Sequence, residues 1–172
     1  MNPSPFVKWA GGKTQLLGQY EPYFPATFGR YIEPFVGGGA VFFYLYRHDR
    51  LAGKKVLLMD RLEELINCYR VIQNQVEELV NELKTHESRK QDPNYFYEVR
   101  SWDRQSSYAL RSEVQRAARF IYLNRTCYNG LYRVNQRGQF NVPFGRHRNP
   151  TICDTRNLRA VREALQGVTL LV

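Results

Sequence analysis

Lysine is missing from residues 101–172 of this 172-residue chain, although that stretch holds 12 arginines against 4 acidic residues. Residues 1–100 are nearly balanced, with 13 Lys+Arg against 12 Asp+Glu, so most of the net charge of +9 lies in the second part. A diffuse attraction to phosphate needs only lysine; arginine adds a planar fork that addresses phosphate or guanine with two bonds. A tyrosine- and asparagine-rich segment charged by arginine alone points to nucleic acid rather than to a solvated basic face. Cysteine is scarce too. Cys68, Cys127 and Cys153 are odd in number and far apart, which argues against a disulfide scaffold or zinc site and fits a reduced, cytoplasmic protein. The three histidines are as scattered, so no metal is expected. No apolar run approaches a membrane span, and no charged start leads into an apolar targeting segment. The 43% hydrophobic content and 14% aromatics exclude a disordered chain.

What is present centres on Tyr31-Ile32-Glu33-Pro34-Phe35-Val36-Gly37-Gly38-Gly39. Tyr31 to Val36 reads as a short buried strand, the glycines as a turn, and Ala40 to Tyr46 as a helix packed on the strand. Such an arrangement brings a ligand against bare amides at a helix N-terminus. The dinucleotide fingerprint fails, because Phe42 occupies the place of its third glycine. A nucleoside bearing a carboxylate therefore fits better than a pyrophosphate, with a plain tight turn as the alternative. Upstream, Gly12-Lys13-Thr14 looks like the end of a phosphate loop, but Val7 stands where the leading glycine belongs. An ATP-using enzyme is the weakest reading. Trp9 and Lys13, across a flexible Gly-Gly, offer an aromatic face and a cation to a small ligand; a core tryptophan beside a surface lysine is the bland alternative. Lys55 to Met59 is predicted as the second strand, ending at Asp60, where an acid either grips a ribose or starts a helix.

Apolar residues from Leu62 to Leu83 keep helical spacing, and His86 to Asn94 reads as a loop. Another helix is predicted from Tyr108, with Leu110, Val114, Ala117 and Ile121 on one face and Arg111, Arg116 and Arg119 elsewhere. Leu131 to Val134 and Gln139 to Val142 read as strands around Asn135-Gln136-Arg137-Gly138, a hairpin narrow enough for a major groove. Thr155 to Gln166 reads as a helix and Val168 to Val172 as a third strand.

Together these stretches resemble the Dam-like (D12 class) adenine-N6 DNA methyltransferases. The resemblance is carried by Phe6-Val7-Lys8-Trp9-Ala10-Gly11-Gly12-Lys13, by Glu33 to Gly39, and by Asp60. Its most specific part is Tyr122 to Arg133 running into Phe140-Asn141-Val142-Pro143-Phe144-Gly145-Arg146. It implies an α/β fold: a partial Rossmann-like parallel sheet with an inserted, mainly helical lobe carrying a β-hairpin. Residues 1–62 and 152–172 would form an incomplete cofactor core, and 63–151 an inserted target-recognition domain with its hairpin at 131–142. S-adenosyl-L-methionine would meet Trp9, Lys13, Glu33, Phe35, Gly37, Gly38, Gly39 and Asp60. Double-stranded DNA would meet Asn124, Tyr128, Asn129, Leu131, Arg133, Asn135, Arg137, Asn141, Pro143 and Arg146. His147 departs from the usual tyrosine and Leu62 from a frequent asparagine.

The largest departure is that no Pro-Pro occurs, so the family's catalytic Asp-Pro-Pro-Tyr is absent. Asp92-Pro93-Asn94-Tyr95 follows a polar stretch that cannot be a buried strand, and reads as a loop-to-helix turn. No catalytic residue is assigned. The missing motif is expected beyond Val172 or on a second polypeptide, and this chain alone is expected to be inactive. The rival reading is a DNA-binding module of methyltransferase ancestry without catalysis.

Overall fold

The computed structural model describes residues 2–172, the side chains of Lys13 and Thr14 excepted. Three parallel strands, β1 (Arg30–Glu33), β2 (Lys55–Met59) and β3 (Thr169–Leu171), lie in the order β1-β2-β3. Ile32 stands opposite Leu57, and Leu57 opposite Thr169. Strand β2 has the predicted bounds. Strand β1 is shorter than Tyr31 to Val36 because Pro34 has no N–H for the ladder. The chain turns there and leaves Phe35 79% exposed, not buried as a strand residue would be. Val36 N–H still donates to Met59 O (2.9 Å), so the glycine loop is tied to the end of β2.

Helix α1 (Leu17–Tyr20) is a single turn, followed by a 3-10 turn carrying Pro22. Helix α2 (Ala40–Arg47) follows the glycines and buries Phe42, Phe43 and Leu45. The long helix expected from Leu62 to Leu83 is two: α3 (Glu63–Asn74) and α4 (Val76–Glu87), broken where Gln75 leaves helical geometry (φ −140°, ψ 43°). Apolar spacing crosses the break because both helices pack on the same partner, α6 (Glu113–Thr126). His86 is a buried residue of α4 rather than part of a loop.

Asp92 caps α5 (Pro93–Arg100), its Oδ1 accepting from the Asn94 and Tyr95 amides. Asp92-Pro93-Asn94-Tyr95 is thus the loop-to-helix turn its sequence context predicts. Helix α6 starts later than Tyr108, behind a reciprocal Ser112–Gln115 capping box. Leu110 lies in the preceding 3-10 turn and is exposed, not on the buried face. Asp154 caps α7 (Thr155–Ala164), which leads into β3.

A single hydrophobic cluster runs through the chain from Phe6 to Leu170. Helix α3 ties the helical lobe to the sheet: Gln73 donates to Leu165 O and Val168 O, and Arg70 to Leu170 O. The N-terminal segment is clipped at two points by asparagines of different helices. Asn157 of α7 exchanges bonds with the Ser4 backbone, and Asn124 of α6 does the same with Lys8. This threading, which buries Phe6 and Val7, carries Trp9 to the glycine loop.

Candidate functional site

The loop after β1 needs its glycines. Gly37 and Gly39 have φ of +51° and +73°, in the left-handed region that residues with a Cβ rarely adopt. Space is as tight as geometry: a Cβ on Gly37 would lie 2.6 Å from Trp9 Cδ1, and one on Gly39 would lie 2.7 Å from the Tyr69 hydroxyl. That hydroxyl donates to Gly37 O (3.0 Å), and burial pushes the Tyr69 phenol well above its ordinary pKa. Gly37 N–H donates to Asp60 Oδ2 (3.0 Å), while Asp60 Oδ1 accepts from Leu62 N–H (3.1 Å). The loop is held from both sides before any ligand arrives.

Above it opens a cavity of about 440 Å³, whose walls include Trp9, Gly12, Glu33, Phe35, Gly37 and Gly38. Gly38, Ala40 and Val41 also line it, where the first turn of α2 leaves amides without intrahelical acceptors. Glu33 Oε2 accepts from the Tyr31 hydroxyl (2.8 Å); burial, then Glu33, raises the Tyr31 pKa. Gly39 sits behind the cavity rather than in its wall. Asp60 is not in the wall either: it reaches the cavity through the Gly37 amide, each carboxylate oxygen already accepting one backbone bond. The Lys13 side chain lies outside the described residues.

Trp9 is fixed by stacking. Its ring lies 6.5 Å from Phe120 and 6.1 Å from Tyr132, nearly parallel to both (23° and 20°). Neither residue stood out in the sequence, because aromatic alternation in a helix and a short strand reads as ordinary core.

The hairpin is present but sparsely laddered. Its arms run antiparallel from Thr126 to Gly145, yet among the described residues only Val134↔Phe140 and Cys127↔Phe144 form bridges there. Side chains of neighbouring elements take the return arm's outward-facing backbone groups, on the side away from the other arm. Asp103 accepts from Phe140 N–H, Arg104 donates to Phe140 O, and Arg100 donates to Val142 O. Tyr128, Asn129, Leu131, Arg137, Pro143 and Arg146 are exposed. Arg133 is exposed too, but its Nε donates to Asn141 Oδ1 (2.7 Å). Asn135 Oδ1 accepts from the Arg137 and Gln139 amides, closing the tip. Asn124 departs furthest from a DNA contact. It is 1% exposed, and its amide is committed to Lys8 and Gly130.

Several arginines of the lobe are committed to neighbouring side chains. Arg119, 6% exposed, pairs with Asp103 (2.8 Å) and with the Val99 and Arg100 carbonyls. Arg116 forks onto Glu64, and Arg111 stacks on Trp102 at 3.6 Å. Other basic residues gather elsewhere. Lys8, Arg125, Arg146, His147 and Arg148 line a cleft of about 410 Å³ with no acidic residue in its wall. Arg125 Nε donates to Phe6 O (3.1 Å), and burial lowers its pKa. Lys8 lines this cleft and the glycine-loop cavity both. Among the described residues no cluster of His, Cys, Asp and Glu could hold a metal ion, and no helix is long and apolar enough to cross a membrane.

A parallel α/β sheet whose first strand ends in a glycine loop under an aromatic-walled cavity defines part of a Rossmann-like methyltransferase fold. The chain belongs to the D12 class N6 adenine-specific DNA methyltransferase family, which it matches over residues 9–172. It is 46% identical over 185 residues to the type II methyltransferase M.MjaIII of Methanocaldococcus jannaschii, covering 99% of this chain and 62% of that protein. It is 42% identical over 172 residues to the type II methyltransferase M1.LlaDCHI of Lactococcus lactis subsp. cremoris, covering 100% and 58%. A DNA adenine methylase of Serratia marcescens is 39% identical over 146 residues, covering 84% and 50%. The chain thus spans half to three-fifths of the length of these relatives.

Proposed function

We propose that this chain binds S-adenosylmethionine in the glycine-loop cavity and duplex DNA along the hairpin and its cationic cleft, as part of an adenine-N6 methyltransferase. The observation that carries this reading is the sharing of Lys8. One residue lines both the cavity suited to a carboxylate-bearing nucleoside and the acid-free cleft suited to a phosphate backbone. The cavity's chemistry fits the cofactor: the Trp9 ring for a base, unpaired amides for a carboxylate, and room beside Gly37, which tolerates no Cβ. Bound there, the cofactor would supply the methyl group. Asp60 would order the loop through the Gly37 amide.

On the DNA side, Arg137 and Arg146 would contact bases or phosphates, while Tyr128 and Leu131 would stack on or wedge into a duplex opened to expose a flipped adenine. The acid and proline carbonyl that would polarise its amino group do not occur as Asp-Pro-Pro-Tyr in these 172 residues. Methyl transfer is therefore proposed to require that element from further sequence or a second polypeptide. The free thiols Cys68, Cys127 and Cys153 support a reduced, cytoplasmic setting.

Calorimetric titration with S-adenosylmethionine tests the first half. Binding that is lost in Trp9→Ala supports it; no heat from the unsubstituted chain leaves the DNA-binding module as the better reading. Tritium transfer to DNA by this chain alone would overturn the proposed need for the missing motif.

A further inference from the structure

We propose that Tyr132, on the outgoing arm of the hairpin, is a positioning residue for the cofactor cavity, setting the plane of Trp9 by stacking. The inference rests on the cofactor-binding reading above and adds a residue and a direction of control to it.

Trp9 has two kinds of neighbour. The Gly37 backbone meets the edge of its indole, so closely that a Cβ there would stand 2.6 Å away. Phe120 and Tyr132 stack with its plane, and are themselves stacked at 5.2 Å and 28°. The two stacking partners are not equivalent. Phe120 belongs to α6, whose place is fixed by a capping box and by packing on α3 and α4. Tyr132 belongs to an arm bridged to its partner at Cys127 near the foot and at Val134 near the tip, and it lies between Leu131 and Arg133, both exposed. Alternation along the arm points those two outward and Tyr132 inward. A shift of the arm's outer face is therefore a shift of the ring that supports Trp9.

Tyr132 is steadied from behind by Phe140, 5.8 Å away on the return arm. It also borders a small chamber lined by Glu64, Asp103, Tyr108 and Arg119. That surrounding fixes the ring's place without a hydrogen bond to Trp9. What Tyr132 gives Trp9 is a flat face, and flatness separates positioning from mere filling of volume.

The test compares Tyr132→Phe, Tyr132→Leu and Tyr132→Ala, read by calorimetry with S-adenosylmethionine and by tryptophan emission in a Trp102→Phe background, where Trp9 is the remaining tryptophan. Phe keeps the face, Leu keeps much of the volume without it, and Ala keeps neither. The expected result is binding within about twofold for Phe and about three- to tenfold weaker for Leu and Ala, as loss of one aromatic pair implies. Trp9 emission should shift in Leu and Ala but not in Phe. Urea midpoints show whether Leu remains folded; an intact Leu variant that binds like Phe overturns the proposal. So does an Ala variant that binds like the unsubstituted chain. No binding by the unsubstituted chain would sink the cofactor reading and the proposal with it, an outcome distinct from equal binding by all variants.

Discussion

Asn124 holds Lys8 by both sides of its backbone: Lys8 N–H donates to Asn124 Oδ1 at 2.7 Å, and Asn124 Nδ2 donates to Lys8 O at 2.9 Å. The same Nδ2 donates to Gly130 O (3.0 Å), so one buried amide joins the N-terminal thread to the foot of the hairpin. Asn124→Ala would strand three backbone groups and is expected to lower stability by about 2–3 kcal/mol. Asn124→Asp should be at least as damaging at neutral pH, because its carboxylate would face two carbonyls. Urea unfolding of both variants checks the ranking; an Asp variant as stable as the unsubstituted chain would contradict it.

Gly37 combines a positive φ with contact against Trp9. Gly37→Ala is expected to cost about 2 kcal/mol of stability and to weaken S-adenosylmethionine binding more than tenfold. Gly18 is the control, since it lies in α1 with nothing within 4 Å of a built Cβ. Gly18→Ala should leave binding unchanged and raise stability by about 0.5 kcal/mol. Thermal melts and calorimetry on the pair separate the glycine loop from glycines in general.

Asp103 Oδ2 accepts from both Arg119 and the Phe140 amide, each at 2.8 Å. Asp103→Ala leaves a buried guanidinium without its carboxylate and should cost about 3 kcal/mol. Hydrogen exchange at the Phe140 amide should rise in that variant more than at amides of α6. Uniform acceleration across the chain would show that Asp103 does not anchor the return arm.

Burial, with Arg111 nearby, holds the His86 pKa at about 4, below its ordinary 6.5. A histidine kept neutral in the folded state gives full stability above pH 6.5, lost as pH falls toward 4 because only the unfolded chain then takes up the proton. The loss amounts to roughly 3 kcal/mol. Unfolding free energy measured at pH 7 and 4.5 should differ by less in His86→Leu. An unchanged difference would place the acid sensitivity in other groups.

Arg146 and Arg148 share the open cleft and carry no ion pair among the described residues. Arg146→Ala is expected to relax sequence preference at a cost of about 1–3 kcal/mol, as for a residue reading a base. Arg148→Ala should weaken all duplexes alike and reduce the salt slope by about one, as a phosphate contact does. Binding isotherms on two sequences at several salt concentrations distinguish the two behaviours.

The sequence made some of this legible and hid the rest for physical reasons. Strand β2, the glycine turn, α2 and the loop-to-helix turn at Asp92 depend on neighbours within a few residues, and are legible in the sequence with little error. The break at Gln75 was invisible, because the apolar period suits one helix or two. Arginine count suggested an outward array, yet Arg116 and Arg119 are spent on Glu64 and Asp103, the first of them some 50 positions distant in the chain. Asn124 looked like part of a DNA-reading string because its motif runs from the core to the surface without a change in composition. Asp60 was placed correctly at the end of β2, but nothing local showed that Gly37 would claim one of its oxygens.

The side chains of Arg100, Asp103 and Arg104 grip residues 140 to 142 of the hairpin's return arm, while the tip from Asn135 to Gln139 is closed by its own asparagine and glycine. The tip is therefore interchangeable in a way the base is not. Loops of other lengths and letters could be grafted between Val134 and Phe140 while the mounting beneath them stayed as it is.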